Sequence, residues 1–160
     1  MLLNILSNKD EAFGCHMLSL RCLTNMFKHP SSVFILISKY ETTIDGVTDY
    51  ISHEKKQVRN AAVTVLLNYS CAFLERKENN EGRVQILACV NEAIENEKDP
   101  NTYMKILATI GNLIFEDEEV QSLAKDFGII EKLGSIEKFK GKDGYDKSVK
   151  YVKDIKNILG

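Results

Sequence analysis

Proline and glycine are scarce. Two prolines and nine glycines are all that interrupt 160 residues, so little stands in the way of long helices. Long apolar runs are missing too. No stretch approaches the roughly 20 residues that a membrane span needs, and the start, MLLNILSNKD, has too short an apolar run for a secretory signal before Lys9 and Asp10 bring charge. There is no C-x-x-C pair. Cys15, Cys22, Cys71 and Cys89 sit among apolar residues, where cysteine behaves as a small hydrophobe, which points to a reducing compartment, the cytosol or nucleus. An excess of one charge is also lacking: 21 basic against 23 acidic residues leave −2. That balance lends no support to a general attraction for nucleic acid or anionic membrane. Basic residues do not interleave with aromatics as a single-strand binder requires. Neither G-x-x-x-x-G-K-[ST] nor G-x-G-x-x-G occurs, so nucleotide binding has no motif behind it, and no cofactor is expected.

What is present is helical pattern. Asp99-Pro100 reads as an N-cap followed by the first helical position, where proline's missing N–H is no loss. His29-Pro30-Ser31 separates two helices, and Gly128 stands where a C-cap closes the helix from about Glu118. The periodicity predicts helices over about 9–28, 32–39, 42–52, 55–76, 80–96, 100–115, 117–127, 129–138 and 144–159, with no period-two alternation. The GKDG segment at 141–144 is a loop, and no linker divides the chain, so residues 1–160 read as one all-α domain.

Three of these helices repeat. LSLRCLTNMF, AAVTVLLNYSCAF and MKILATIGNLIF align on Asn25, Asn68 and Asn112, which lie 43 and 44 residues apart. Five positions before each asparagine stand Leu20, Val63 and Leu107; two before stand Leu23, Leu66 and Ile110; one after, Met26, Tyr69 and Leu113. A period of about 40–47 belongs to armadillo and HEAT repeats, whose units stack because none buries its apolar face alone. The expected architecture is therefore an armadillo/HEAT-like right-handed superhelix, an α-solenoid. Between the repeats, Val33, Phe34, Leu36 and Ile37, then Ile44, Val47 and Ile51, then Val84, Ile86, Leu87, Val90 and Ile94, supply partner helices. The final helix offers Val149, Val152, Ile155 and Leu159 on one face, with lysines opposite as on a terminal cap.

On a helix, positions 0, −4 and −7 share a face. Relative to the three asparagines that face carries Arg21 with Asn25, Thr64 with Asn68, and Lys105 with Asn112. These polar rungs are expected to line the concave side of the stack and to meet a peptide. An amide can donate to a carbonyl and accept from an N–H, and arginine or lysine attracts carboxylates. The competing reading has the asparagines capping loops or satisfying buried backbone groups. Other features read as structural. Adjacent Cys15 and His16 point in different directions on a helix, so with Cys71 they make a poor nucleophile and base. His16, His29 and His53 lack metal-ligand spacing with the cysteines. Glu116-Asp117-Glu118-Glu119 suits a helix N-terminus better than a metal cage.

HMLSLRCLTNMF, NAAVTVLLNYSCAF, MKILATIGNLI and VQSLAKDFGI, in that order and spacing, resemble the PUL domain, the module that closes phospholipase A-2-activating protein and its fungal counterparts. The resemblance runs from about Cys15 to the end. It implies an armadillo-like fold of about six repeats that binds the acidic C-terminal tail of the valosin-containing AAA+ unfoldase. It also implies a role in ubiquitin homeostasis and ubiquitin-dependent degradation, with WD40 repeats and a ubiquitin-binding region upstream. This chain is shorter than such a module, so the resemblance implies the C-terminal part of a longer protein. Arg21 falls on the arginine of the family's L-R helix and Asn68 on the L-N-Y-S asparagine. Lys105 stands where relatives often have arginine, keeping charge but not bidentate geometry, and Asn112 aligns more loosely. The peptide-binding set expected from rungs and resemblance is Arg21, Asn25, Asn68, Lys105 and Asn112, with no catalytic or metal residue. The alternatives are a helical scaffold without a groove and an accessory domain of a thiol hydrolase.

Overall fold

In a computed structural model that describes residues 1–8, 10–76 and 80–160, the described residues form helices with no strand. In chain order these are α1 (Leu2–Ser7), α2 (Phe13–Met26), α3 (Pro30–Ser38), α4 (Tyr40–Thr48), α5 (Lys56–Leu74), α6 (Asn80–Asn96), α7 (Pro100–Ile114), α8 (Glu118–Asp126) and α9 (Ile129–Lys132). A 3-10 helix (Leu133–Phe139) and α10 (Tyr145–Leu159) complete the chain.

The helices stack in two rows. In one, α2 packs on α5, α5 on α7 and α7 on α10; in the other, α4 packs on α6, and α6 on α8, α9 and the 3-10 helix. The repeated apolar positions hold this stack together. Leu20, Val63, Leu107, Leu66, Ile110, Tyr69 and Leu113 are fully buried, Leu23 nearly so, and only Met26 stays partly exposed. Polar bonds reach from one repeat to the next at about the same sequence step. Lys132 donates to Asn91 Oδ1 at 2.6 Å, and Lys138 to the Glu95 carbonyl at 2.8 Å; over a shorter interval, Tyr69 donates to the Leu36 carbonyl at 3.1 Å. This is an all-α helical repeat solenoid.

Local signals explain the ends. Asp99 accepts from the Thr102 N–H and Pro100 opens α7. Asp117 accepts from the Val120 N–H and opens α8. Gly128, at φ 67°, closes α8, its N–H bonded to the Lys125 carbonyl at 2.9 Å.

Several expectations need correction. The helix expected over 9–28 starts at Phe13; Lys9 lies outside the described residues, and α1 precedes it. An Asx turn makes the break: Asn8 Oδ1 accepts from the Asp10 N–H at 3.2 Å and its amide donates to Glu11 at 3.3 Å. The helix expected over 129–138 is a short α turn running into 3-10 geometry. Phe34 is 62% exposed, with the Arg76 guanidinium 5.9 Å from its ring centroid. On α10 the buried stripe is Ser148, Val152, Ile155 and Leu159, while Val149, about 100° round the helix, is exposed. Cys22 and Cys71 are exposed and Cys15 partly so, leaving Cys89 as the buried cysteine.

Candidate functional site: a polar groove across α2, α5 and the start of α7

The rung faces of α2 and α5 meet the first turn of α7 in an open groove of about 580 Å³. Arg21, Thr24 and Asn25 line it from α2, Lys56, Gln57, Asn60 and Thr64 from α5, and Asp99 and Asn101 from the start of α7. Arg21 and Asn25, one turn apart, are both exposed. Lys56 is exposed as well, its Nζ 3.9 Å from Asp99 Oδ1. Two mobile-stemmed cations thus stand on neighbouring helices, with amide side chains between them.

Lys105 sits behind this surface. Its Nζ donates to Asn60 Oδ1 at 2.8 Å and to Thr64 Oγ1 at 2.7 Å. Asn60 Nδ2 donates to Thr102 Oγ1 at 3.1 Å, and Thr102 Oγ1 donates to Asp99 Oδ2 at 2.9 Å. Burial lowers the Lys105 pKa from its ordinary value, and Asp99 partly opposes that shift.

The other two predicted residues are engaged elsewhere along the stack. Asn68 Nδ2 reaches the Thr24 carbonyl at 3.5 Å, and Asn112 Nδ2 donates to Ser70 Oγ at 3.1 Å and to Cys71 Sγ at 3.3 Å. So the structure brings Arg21 and Asn25 together in the groove and places Lys105 at its back. Asn68 and Asn112 link neighbouring helices and do not line it. Lys56, Asn60 and Asn101 were missed, though the signal was there. Asn101 lies eleven before Asn112, on the same helical face as the rungs, and Asn60 lies one turn before Thr64, at the edge of that face.

Among the described residues Cys15 and Cys71 are not paired with a histidine base. His16 Nε2 is held at 3.0 Å by the Asn8 carbonyl and its ring packs on Tyr50. Desolvation of its sulfur pushes the Cys71 thiol up, against the thiolate a nucleophile requires. Among the described residues no group of three or more His, Cys, Asp or Glu could hold a metal ion, and no helix is long and apolar enough to cross a membrane.

The model of the PUL domain family matches residues 2–155. The chain belongs to that family. The match begins ahead of Cys15, where the resemblance was expected to start, and takes in α1. A PUL domain is a protein–protein interaction module, so the coarse role of this one is binding to protein. Among solved structures, an engineered protein crystallised by the Northeast Structural Genomics Consortium matches with a TM-score of 0.71 at 13% identity. The match covers 98% of this PUL domain and 62% of the engineered chain. At that identity the likeness is one of fold.

Proposed function

We propose that this PUL domain captures the acidic C-terminal tail of the valosin-containing AAA+ unfoldase in the groove between α2 and α5. The observation that carries the reading is the placing of Arg21 and Lys56 on adjacent helices around a floor of amide groups. Both cations are exposed enough to reorganise around carboxylates, and charge-assisted bonds to them are the stronger kind. In this role the domain links the unfoldase to ubiquitinated cargo held by upstream domains, in the cytosol or nucleus.

Fluorescence anisotropy with a labelled acidic tail peptide tests the reading. Each charge-assisted bond is worth about 1.5–3 kcal/mol, so Arg21→Ala with Lys56→Ala should weaken binding by roughly tenfold or more. Binding should also fall with added salt, because exposed charges are screened beyond about 8 Å at physiological ionic strength. Unchanged affinity in the double variant sinks the groove. The scaffold reading draws support from Asn68 and Asn112, whose amides tie helices together. It predicts that the wild-type domain leaves the peptide unbound.

A further inference from the structure

We propose that Lys105 makes the groove selective for carboxylates over amides, acting from behind through Asn60 and Thr64 and not by touching the ligand. This rests on the groove reading above. An asparagine and a threonine in a groove wall can each accept as well as donate, so unaided they would welcome a peptide amide as readily as a carboxylate. Lys105 removes that ambivalence. Its ammonium sits 2.8 Å from Asn60 Oδ1 and 2.7 Å from Thr64 Oγ1, the two acceptor oxygens of the floor. A cation bonded to both places positive potential where an incoming N–H would have to donate.

The remaining bonds fix the same polarity. Thr64 gives its hydroxyl proton to the Asn60 carbonyl at 2.6 Å, and the Asn60 amide is pinned by its bond to Thr102 at 3.1 Å. With Oδ1 turned to the ammonium, Asn60 cannot flip without breaking both contacts. Thr102 in turn donates to Asp99, so the acid that lines the groove is bonded on one oxygen and faces Lys56 on the other. With the Thr64 proton spent on the Asn60 carbonyl, the pair offers a ligand the second Asn60 N–H, and a donor fits a carboxylate oxygen. Lys105 is thus a positioning residue whose half-buried ammonium acts on selectivity.

The test compares two labelled peptides, the acidic tail and a version with Asp and Glu replaced by Asn and Gln, against five forms of the whole chain. Wild type should prefer the acidic peptide. Lys105→Met should cut that preference roughly tenfold, the scale of one charge-assisted bond, and should do so at high salt as well as low. Arg21→Ala, by contrast, should lose its effect as salt rises. Asn60→Ala should cut the preference too. The double variant Lys105→Met/Asn60→Ala should lose little more than either single one, since the two act as a unit. Additive losses, or a preference untouched by Lys105→Met, overturn the proposal while leaving the groove reading in place. Wild-type binding to neither peptide overturns the groove reading and this proposal with it. If Lys105→Met does not fold, shown by loss of its cooperative thermal transition, Asn60→Ala alone decides: an unchanged preference there overturns the proposal.

Discussion

Glu97 shows how much one side chain holds between repeats. Its carboxylate is buried and takes Arg59 in a two-pronged bond, Nε to Oε2 at 2.9 Å and Nη2 to Oε1 at 2.8 Å. Oε1 also accepts from the N–H groups of Lys98 and Asp99, at 2.8 and 2.7 Å, and so shapes the turn into α7. Burial alone would raise the Glu97 pKa; Arg59 and the two N–H groups outweigh it, and the value lies below the ordinary 4.5. The unfolded chain therefore binds this proton more readily than the folded one. The stabilisation is complete above about pH 4.5 and is lost as pH falls through the lowered folded value. Thermal melts across pH 3–7 should show this acid limb in wild type, and Glu97→Gln should flatten it. At neutral pH the variant should be less stable by about 3–5 kcal/mol, because Arg59 keeps its charge without a counter-ion. A steep acid limb that survives in Glu97→Gln would assign the pH dependence to other carboxylates. None of this was legible beforehand: ENEKDPN reads as a polar run ending a helix, and only the packed turn shows which glutamate is inside. The same limit governed the rungs. Their common phase was visible, but whether an amide faces the groove, as Asn25 does, or a neighbouring helix, as Asn112 does, depends on residues some forty positions away.

The elements of this fold are held by their ends. Asp117 has two jobs at the start of α8: Oδ1 accepts from the Val120 N–H at 3.0 Å, and Oδ2 from Arg83 Nη1 at 2.6 Å. Arg83 is 1% exposed, and among the described residues its Nε and Nη2 have no hydrogen-bond partner. A half-satisfied buried guanidinium leans on the one carboxylate it has. Substitutions can separate the two jobs in urea unfolding. Asp117→Asn keeps a cap acceptor and loses the counter-charge, so it should be destabilising by several kcal/mol. Asp117→Ala loses the cap as well, a further ~1 kcal/mol. Arg83→Met should be milder than either, since it withdraws the buried charge and leaves Asp117 to cap α8. If Arg83→Met proves the worst of the three, the pair stabilises the fold outright. Element ends with local chemistry, such as Asp99-Pro100 and Gly128, could be read in advance. The 3-10 segment could have been: Leu133, Ile136 and Phe139 are buried at a spacing of three, the 3-10 period. The gap between α1 and α2 was harder, because its turn depends on Asn8 bonding to its near neighbours within an otherwise periodic stretch.

At the scale of the whole molecule, the step of 43 and 44 residues already implied the stack, because helices that repeat at that interval must bury their apolar faces against one another. What the step could not supply was the depth and position of the groove, which arise where the rung faces of α2 and α5 meet the α7 turn. A stack of this kind is coupled mainly between neighbours. Leu66 is fully buried in α5, which packs against α2, α4, α6 and α7, whereas α10 packs on α7, α8, α9 and the 3-10 helix. Leu66→Ala leaves a cavity at the centre of the row and should be destabilising by about 2–5 kcal/mol. In a solenoid that loss should not spread evenly. Amide hydrogen exchange should rise most in α5, then in its row neighbours α2 and α7, with the smallest change in α10. Because Arg21 and Lys56 stand on α2 and α5, tail binding should weaken along with the protection of those two helices. Equal deprotection from α2 to α10 would mean that the chain unfolds as a single cooperative block, and that the groove is as rigid as the core beneath it.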